Sequence, residues 1–451
     1  MCEEKKVHVE AKKICNIPIN GRTSSGAASQ IFYTSDGKSV IKVMNISEYK
    51  QIFMIYGINN VVEIDIMTRF KHPHLMYAEE LFIGKSAEVP YAIKMPKIGR
   101  CLRSKKSNPD TFIDIFYKVA SAVEFLHKNH ILHLDIHSGN ILITDDYKQV
   151  MLIDFGNSRY VHCVESGLTK FTGNYFPRQY RPPENLVKDT AYTQKSDVWA
   201  LGICMLGYIT DKYSEIEGDS INIIRDFSNP TPILEKWIQP VKLPEPIKPL
   251  IINLLAKMFS LNPHNRITMV QVLSHPVFNY ADGKGRERID GYVIPIAPLP
   301  PSSIQTPLPI IKNTICIVQK IHLHLRQYVD IEDILFLAVD LVYRTQSLEI
   351  KDNKRDDIVR SLACIIVAIM FYNHWALMQV GYTIEAALKN NGYDIIAIEV
   401  ILYQGYIIEA LQGNILRMNV NRSWASDQLR HIVRDIFPYP DLYTQGLPWI
   451  E

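Results

Sequence analysis

Two short stretches, HLDIHSGNILI at residues 133–143 and MLIDFG at 151–156, constrain this chain more than any other feature. Asp135 and Asn140 stand five residues apart, and Asp154 ends a second apolar run. Apolar runs of this length are typical of short strands, which would place the three polar side chains in the adjoining loops. A carboxylate that orients a hydroxyl, with oxygen ligands for a hard cation, is what phosphoryl transfer requires.

The same chemistry requires groups that hold a triphosphate, and the first hundred residues contain candidates. In GRTSSGAAS, the backbone amides near Gly21 and Gly26 would approach phosphates, although Thr23 replaces the middle glycine of the usual pattern and an ordinary loop is the commoner reading. Lys42, in VIKV, is predicted to contact the α- and β-phosphates, and Glu63 in the next helical stretch is its predicted partner. The alternatives are a surface lysine on an edge strand and a solvated helix carboxylate.

The apolar pattern divides the 451 residues into four parts. Short β-like runs predict a β-rich lobe at 14–100, and helical spacing predicts a mainly helical lobe at 101–278. A stretch rich in Pro, Gly and Ser predicts a linker at 279–311. Strongly apolar helical spacing then predicts a separate all-α domain at 312–437.

Composition narrows the class of protein. A net charge of +2 gives no support for a general nucleic-acid binder. Seven scattered cysteines without a CxxC pair favour reduced thiols and an intracellular location, cytoplasmic or nuclear. The charged start MCEEKKVHVEAKK lacks the apolar region of a secretory signal. The apolar run from Ser361 is interrupted at Asn373, short of the ~20 residues of a membrane span, so it predicts a buried helix and no membrane partner.

On these motifs the sequence resembles the protein kinase family over residues 14–278. YRPPE, ending at Glu184, is similar to the end of an activation segment. SDVWALG is similar to the start of the long helix whose Asp, here Asp197, braces the catalytic loop. NPHNRIT supplies Arg266, which the resemblance pairs with Glu184. The resemblance implies a two-lobed α+β fold, ATP and Mg²⁺ as cofactors, and protein substrates.

The resemblance also assigns roles to the candidate residues. Asp135 orients the acceptor hydroxyl, and Asn140 and Asp154 bind Mg²⁺. Lys42 holds the phosphates of ATP, and Glu63 holds Lys42. The C-terminal motifs favour serine or threonine as the acceptor. His133 is expected to hold the loop by hydrogen bonds.

Several positions depart from the protein kinase pattern. His137 stands where a lysine is usual, and HxDxHxGNIL is similar to small-molecule kinases of the aminoglycoside and choline kinase type, which stay open as an alternative. A pseudokinase scaffold is the second alternative. Leu134 replaces the arginine that receives an activation phosphate, so phosphorylation at Thr172 is expected to activate weakly or not at all. Pro177 stands where a threonine usually supports Ser/Thr preference.

The helical tail at 312–437 resembles a single cyclin box. LACIIVAIMFYN is similar to its central helix, and Glu399 fits its usual acidic position, although Met370 stands where the partner lysine is often found. The resemblance implies an intramolecular cyclin-like partner that activates the kinase lobes. Such a fusion would suit a large DNA virus that does not depend on a host cyclin.

Overall fold

The structure is a computed structural model, and in it the chain forms two compact units. The first is drawn from Met1–Arg69, Glu79–Lys94 and Pro295–Glu451, and the second from Phe70–Ala78 and Met95–Ile294. The residues that it describes are 19–25, 29–44, 61–86, 89–160, 177–186, 192–213, 216, 229–244, 246–279, 287–294, 308–325, 331–345, 357–371, 389, 404, 407, 408 and 411.

The strands are, in chain order, β1 (Ile19–Ser25), β2 (Ser29–Thr34), β3 (Ser39–Met44), β4 (Phe70–Lys71), β5 (Glu80–Ser86), β6 (Val89–Pro96), β7 (Arg100–Cys101), β8 (Ile131–Leu132), β9 (Ile141–Ile143), β10 (Val150–Leu152), β11 (Arg159–Tyr160) and β12 (Tyr292–Val293). The α-helices are α1 (Val61–Arg69), α2 (Pro109–Lys128), α3 (Gln194–Thr210), α4 (Thr231–Ile238), α5 (Ile247–Met258), α6 (Met269–Leu273), α7 (Pro276–Asn279), α8 (Leu308–Leu325), α9 (Ile331–Arg344) and α10 (357–371).

The first unit contains a five-stranded sheet in the order β1-β2-β3-β6-β5. Phe32, Ile41 and Tyr91 are buried in it, which gives the sheet a packed apolar face. Gly21 lies inside β1 and not in the predicted loop. The pairing register with β2 shifts at this residue, so Gly21 occupies a β-bulge, a position where a glycine is readily accommodated.

Helix α1 is buried on every face. Eight of its nine residues are buried, and Thr68 is partly exposed. At about 100° per residue, Asp65 lies about 200° round the helix from Glu63, yet Asp65 is fully buried and accepts a hydrogen bond from Arg69 at 3.2 Å. A single sheet covers only one side of a helix, so another part of the chain covers the far side of α1.

The tail contributes a bundle of α8, α9 and α10 to the same unit. Helices α8 and α9 pack together, and the Ser361 hydroxyl of α10 donates to the Ile310 carbonyl of α8 at 3.1 Å. Residues 359–371 are all buried, which confirms the predicted buried helix as far as Phe371. Within the part of the chain that the structure describes, none of the helices combines the length and apolar character of a membrane span.

This bundle contains a buried ion pair. Its two residues differ from those that the resemblance to a cyclin box had indicated. Asp340 and Arg344 lie one turn apart on α9, 3.2 Å from each other, with side chains 0% and 6% exposed. Met370 is buried in α10, and Glu399 lies outside the described residues. An Asp four residues before an Arg in LAVDLVYR was the available signal.

The second unit is built round the long helices α2 and α3, which pack on each other. Asn108 caps α2 by accepting a hydrogen bond from the Asp110 amide, and Pro109 takes the first helical position. Thr193 and Ser196 form a capping box that starts α3. Helix α2 agrees with the helical spacing predicted from residue 101 onwards, and the two predicted strands are confirmed as β9 and β10.

Part of the predicted linker packs on the second unit. Strand β12 pairs antiparallel with β4, the Tyr117 hydroxyl donates to the Glu287 carbonyl, and the Ser121 hydroxyl donates to the Ile289 carbonyl, both at 3.1 Å. Residues 295–307 alone therefore separate this packed segment from α8. At no more than ~3.6 Å per residue, these thirteen residues span at most about 47 Å.

Candidate active site

In the first unit, Lys42 and Glu63 form a buried ion pair. The Lys42 ammonium of β3 donates to Glu63 Oε1 of α1 at 2.6 Å, and the two side chains are 9% and 1% exposed. Removing two charges from water is costly unless they are paired, so this geometry holds both side chains in place. The predicted contact is confirmed, and the alternatives of an edge lysine and a solvated carboxylate are wrong.

In the second unit, Asp197 holds the backbone of the loop that contains Asp135. Its carboxylate accepts from the amides of His133, at 2.9 Å, and Leu134, at 3.0 Å, and also from His127 Nε2 at 2.9 Å. Leu134 has a φ of 62°, a left-handed conformation that is strained for a residue with a side chain. The predicted bracing by Asp197 is confirmed, and it offsets this strain.

His133 links the loop of Asp135 to the segment of Asp154. Its Nδ1 accepts from the Asp135 amide at 3.2 Å, so its Nε2 carries the proton and donates to the Ile153 carbonyl at 3.2 Å. Complete burial of His133 lowers the pKa of its imidazole and keeps the ring neutral. The predicted structural role of His133 is confirmed.

Asn140 and Asp154 are the candidate cation ligands. The Asn140 amide nitrogen donates to the Asp135 carbonyl at 3.0 Å, which leaves Oδ1 to face a ligand, and the Ile153 amide donates to the Asn140 carbonyl at 2.9 Å. Asp154 has a φ of 67°. Amide and carboxylate oxygens suit Mg²⁺, so the donor chemistry fits this ion. Among the described residues no group of three or more His, Cys, Asp or Glu is placed to bind a metal.

His137 occupies the position of the usual lysine without supplying its charge. The Gly139 amide donates to His137 Nδ1 at 3.0 Å, so the proton lies on Nε2, 3.9 Å from Asp135 Oδ1. Burial, with the nearby His133 and Arg103, lowers the pKa of His137 to about 4. A Cβ at Gly139 would lie 2.8 Å from the His137 ring, so glycine is required for this arrangement. His137 is thus neutral, and its Nε2–H lies near the Asp135 carboxylate at a distance longer than a hydrogen bond.

Two further contacts involve the chain beyond Pro177, and the second of them reaches the loop of Asp135. Arg266 forms a bidentate pair with Glu184, at 2.7 and 2.9 Å, as the family resemblance implied. The Ser138 amide donates to the Tyr180 hydroxyl at 3.3 Å. Sequence reasoning missed this contact, although the tyrosine of YRPPE was the available signal.

For some residues that the sequence predicted to act in the site, the structure does not test the predicted role. Gly26 and Thr172 lie outside the described residues, so their predicted roles stay predictions. Gly21 lies in β1, and its predicted contact with phosphates also stays a prediction.

Comparison with known proteins gives the family of residues 19–278 of this chain. The model of the protein kinase domain matches residues 19–278. An Aurora kinase from Dictyostelium discoideum is 25% identical over 276 residues, 59% of this chain and 67% of that protein. Mitogen-activated protein kinase mpk-1 from Caenorhabditis elegans is 26% identical over 262 residues, 50% of this chain and 57% of that protein. A probable CTD kinase subunit alpha homolog from Encephalitozoon cuniculi is 25% identical over 287 residues, 56% of this chain and 82% of that protein.

Proposed function

This chain belongs to the protein kinase family, and we propose that it transfers the γ-phosphate of ATP to serine or threonine hydroxyls of other proteins. The observation that carries the proposal is the buried Lys42–Glu63 pair, 2.6 Å long. A protein that only binds partners gains little from a lysine held in this way, because burying the pair is costly. A kinase needs that ammonium in one place to hold phosphates.

The proposed reaction assigns one task to each candidate residue. Lys42 contacts the α- and β-phosphates of ATP, and Asn140 and Asp154 are the residues that would hold Mg²⁺. The bound ion would neutralise charge on the phosphates. Asp135 accepts the proton of the acceptor hydroxyl as the hydroxyl oxygen attacks the γ-phosphorus and ADP leaves. His137 lies beside the same carboxylate as a neutral ring and adds no positive charge there.

This assignment is tested by measuring ³²P transfer from ATP to a protein panel, choline and aminoglycosides. We expect proteins to be labelled and the small molecules to remain unlabelled. Asp135→Asn should lower transfer by about 10²–10⁴-fold, the contribution of a positioned general base. If a small molecule were labelled while every protein stayed unlabelled, the result would favour a small-molecule kinase, the alternative that His137 suggests.

We further propose that the tail is a cyclin-box-like module that activates the kinase lobes of its own chain. Three observations support this proposal: the far side of α1 is buried, the tail groups with α1 in one unit, and residues 295–307 are a short tether. Tethering gives an effective concentration on the order of millimolar, so even a weak interface stays occupied. The cytoplasmic or nuclear location and the origin in a large DNA virus stay predictions.

Leu134 stands where an arginine would receive the phosphate of the activation segment. We therefore expect the chain to be active without phosphorylation of that segment. The Leu134 side chain is fully buried and apolar, so it contributes no charge to a phosphate on Thr172. Thr172→Ala should therefore keep transfer within about threefold of the native rate, as measured by initial rates with one protein substrate. A loss beyond about a hundredfold, ~2.7 kcal/mol, would show that phosphate ordering matters after all.

A further inference from the structure

A basic segment, residues 97–106 with the sequence KIGRCLRSKK, lies between β6 and α2 of the second unit. Its cations are Lys97, Arg100, Arg103, Lys105 and Lys106. Four of the five are exposed, and Lys105 is partly exposed. The sequence holds no carboxylate between Glu88 and Asp110, so this part of the surface is positively charged.

The basic segment lies against the loop that directs the acceptor hydroxyl. The Arg103 amide donates to the Ser138 carbonyl at 3.2 Å, three residues after Asp135. Strand β7, inside the segment, pairs with β9, which begins directly after Asn140. After burial and His133, the Arg103 charge also contributes to the low pKa of His137.

Among the described residues, Asp145 is a carboxylate that contacts one of these cations. Asp145 accepts a hydrogen bond from Lys105, and the charges of Lys105 and Arg100 lower the pKa of Asp145 after that hydrogen bond. Asp146 lies 3.9 Å from Lys148, a cation outside the segment. The five cations of the basic segment therefore place positive charge beside the acceptor loop.

We propose that the basic segment binds acidic residues of the protein substrate near the acceptor hydroxyl, so that the chain selects acidic peptides. This inference rests on the proposed kinase function and adds the substrate class. Each exposed charge pair contributes little, but several opposite charges add up and speed encounter. The arginine fork also matches a carboxylate or a phosphate, so a phosphorylated residue beside the acceptor would serve the same purpose.

A binding experiment on the full chain tests the inference independently of turnover. The probe is a fluorescent peptide with alanine at the acceptor position flanked by glutamates, compared with a peptide in which glutamine replaces each glutamate. Anisotropy should show the acidic peptide binding about tenfold tighter at ~50 mM salt, and the difference should shrink at ~300 mM as charges are screened. Equal affinity for the two peptides at low salt would overturn the inference.

Charge-reversal variants test whether the basic segment is the place where the acidic peptide binds. Arg100→Glu with Lys106→Glu should remove the preference for the acidic peptide and create one for a lysine-flanked peptide. The matched control is Lys242→Glu with Lys257→Glu, which changes net charge equally at two exposed lysines elsewhere in the second unit and should keep the preference. An acidic preference that survives the first pair, or disappears with the second, would place recognition outside the basic segment.

Transfer to matched serine peptides separates this inference from the proposed function. We expect kcat/KM to be about tenfold higher for glutamate-flanked or phosphoserine-flanked peptides than for neutral ones. Equal kcat/KM would overturn the substrate class and leave the kinase function standing. Absence of transfer to every peptide would overturn the kinase function, and the binding experiment would still decide the inference. Stronger binding of a single-stranded RNA than of acidic peptides of equal charge would also contradict it.

Discussion

Asp154→Asn should lower phosphoryl transfer by at least about a thousandfold while the protein stays folded. Asparagine is nearly the same size as aspartate and tolerates the left-handed φ of 67° at this position, so the backbone keeps its course. The carboxylate charge is lost, however, and with it several kcal/mol of cation binding and charge neutralisation, at about 1.4 kcal/mol per tenfold in rate. Single-turnover ³²P transfer at saturating ATP and Mg²⁺ measures the loss, and thermal unfolding monitors the fold.

Asp110→Asn is the matched control for this variant. Asp110 is an exposed carboxylate in the first turn of α2, and its replacement makes the same change of charge and size. The control should keep full activity. Full activity in Asp154→Asn, with Mg²⁺ as the only metal, would remove Asp154 from the cation site and end the proposed mechanism.

Removal of the tail after Ile294 should lower kcat/KM by about 5–150-fold, the range of a typical coupling free energy. This boundary keeps the pairing of β12 with β4. If the tail covers the far side of α1, its loss exposes apolar residues and the Asp65–Arg69 pair, and Glu63 is then held less firmly against Lys42. Initial rates with one protein substrate compare the truncated and full chains.

A protease site placed within residues 295–307 provides the control, because cleavage leaves every other residue present. Activity of the uncut chain should not change on dilution, since the tether holds the tail at an effective concentration on the order of millimolar. Activity of the cut chain should fall on dilution. An undiminished rate after truncation would contradict activation by the tail, and a steep fall of the uncut chain on dilution would indicate activation between chains.

The local arrangement of the candidate site could be predicted from the sequence because its parts are close along the chain. Asp135, Asn140 and Asp154 lie within 20 residues, and the apolar runs between them are the strands β9 and β10. The contacts of Asp197 with the loop, and of Arg266 with Glu184, join distant residues. They were predicted only through the resemblance to a known family, since spacing alone carries no information on them.

Other features depended on contacts that no local pattern encodes. Gly21 was expected in a loop, but the register of β1 against β2 makes it part of a strand. Residues 287–294 fell within the predicted linker, but they pack on the second unit because β4 offers a pairing edge and Tyr117 and Ser121 offer hydroxyl donors. The Asp340–Arg344 pair was missed because an i,i+4 spacing is equally common on exposed helices.

The sequence by itself determined which residues can carry phosphoryl transfer, because loop spacing and strand patterning are local properties of the chain. Only the tertiary structure decided that the predicted Lys42–Glu63 pair is buried and that α1 is covered on both sides. It also decided that the proton of His137 lies on Nε2, because the Gly139 amide occupies Nδ1. Burial and hydrogen-bond partners are set by segments far apart in sequence, and the free energy of ionising or ordering a side chain depends on those partners.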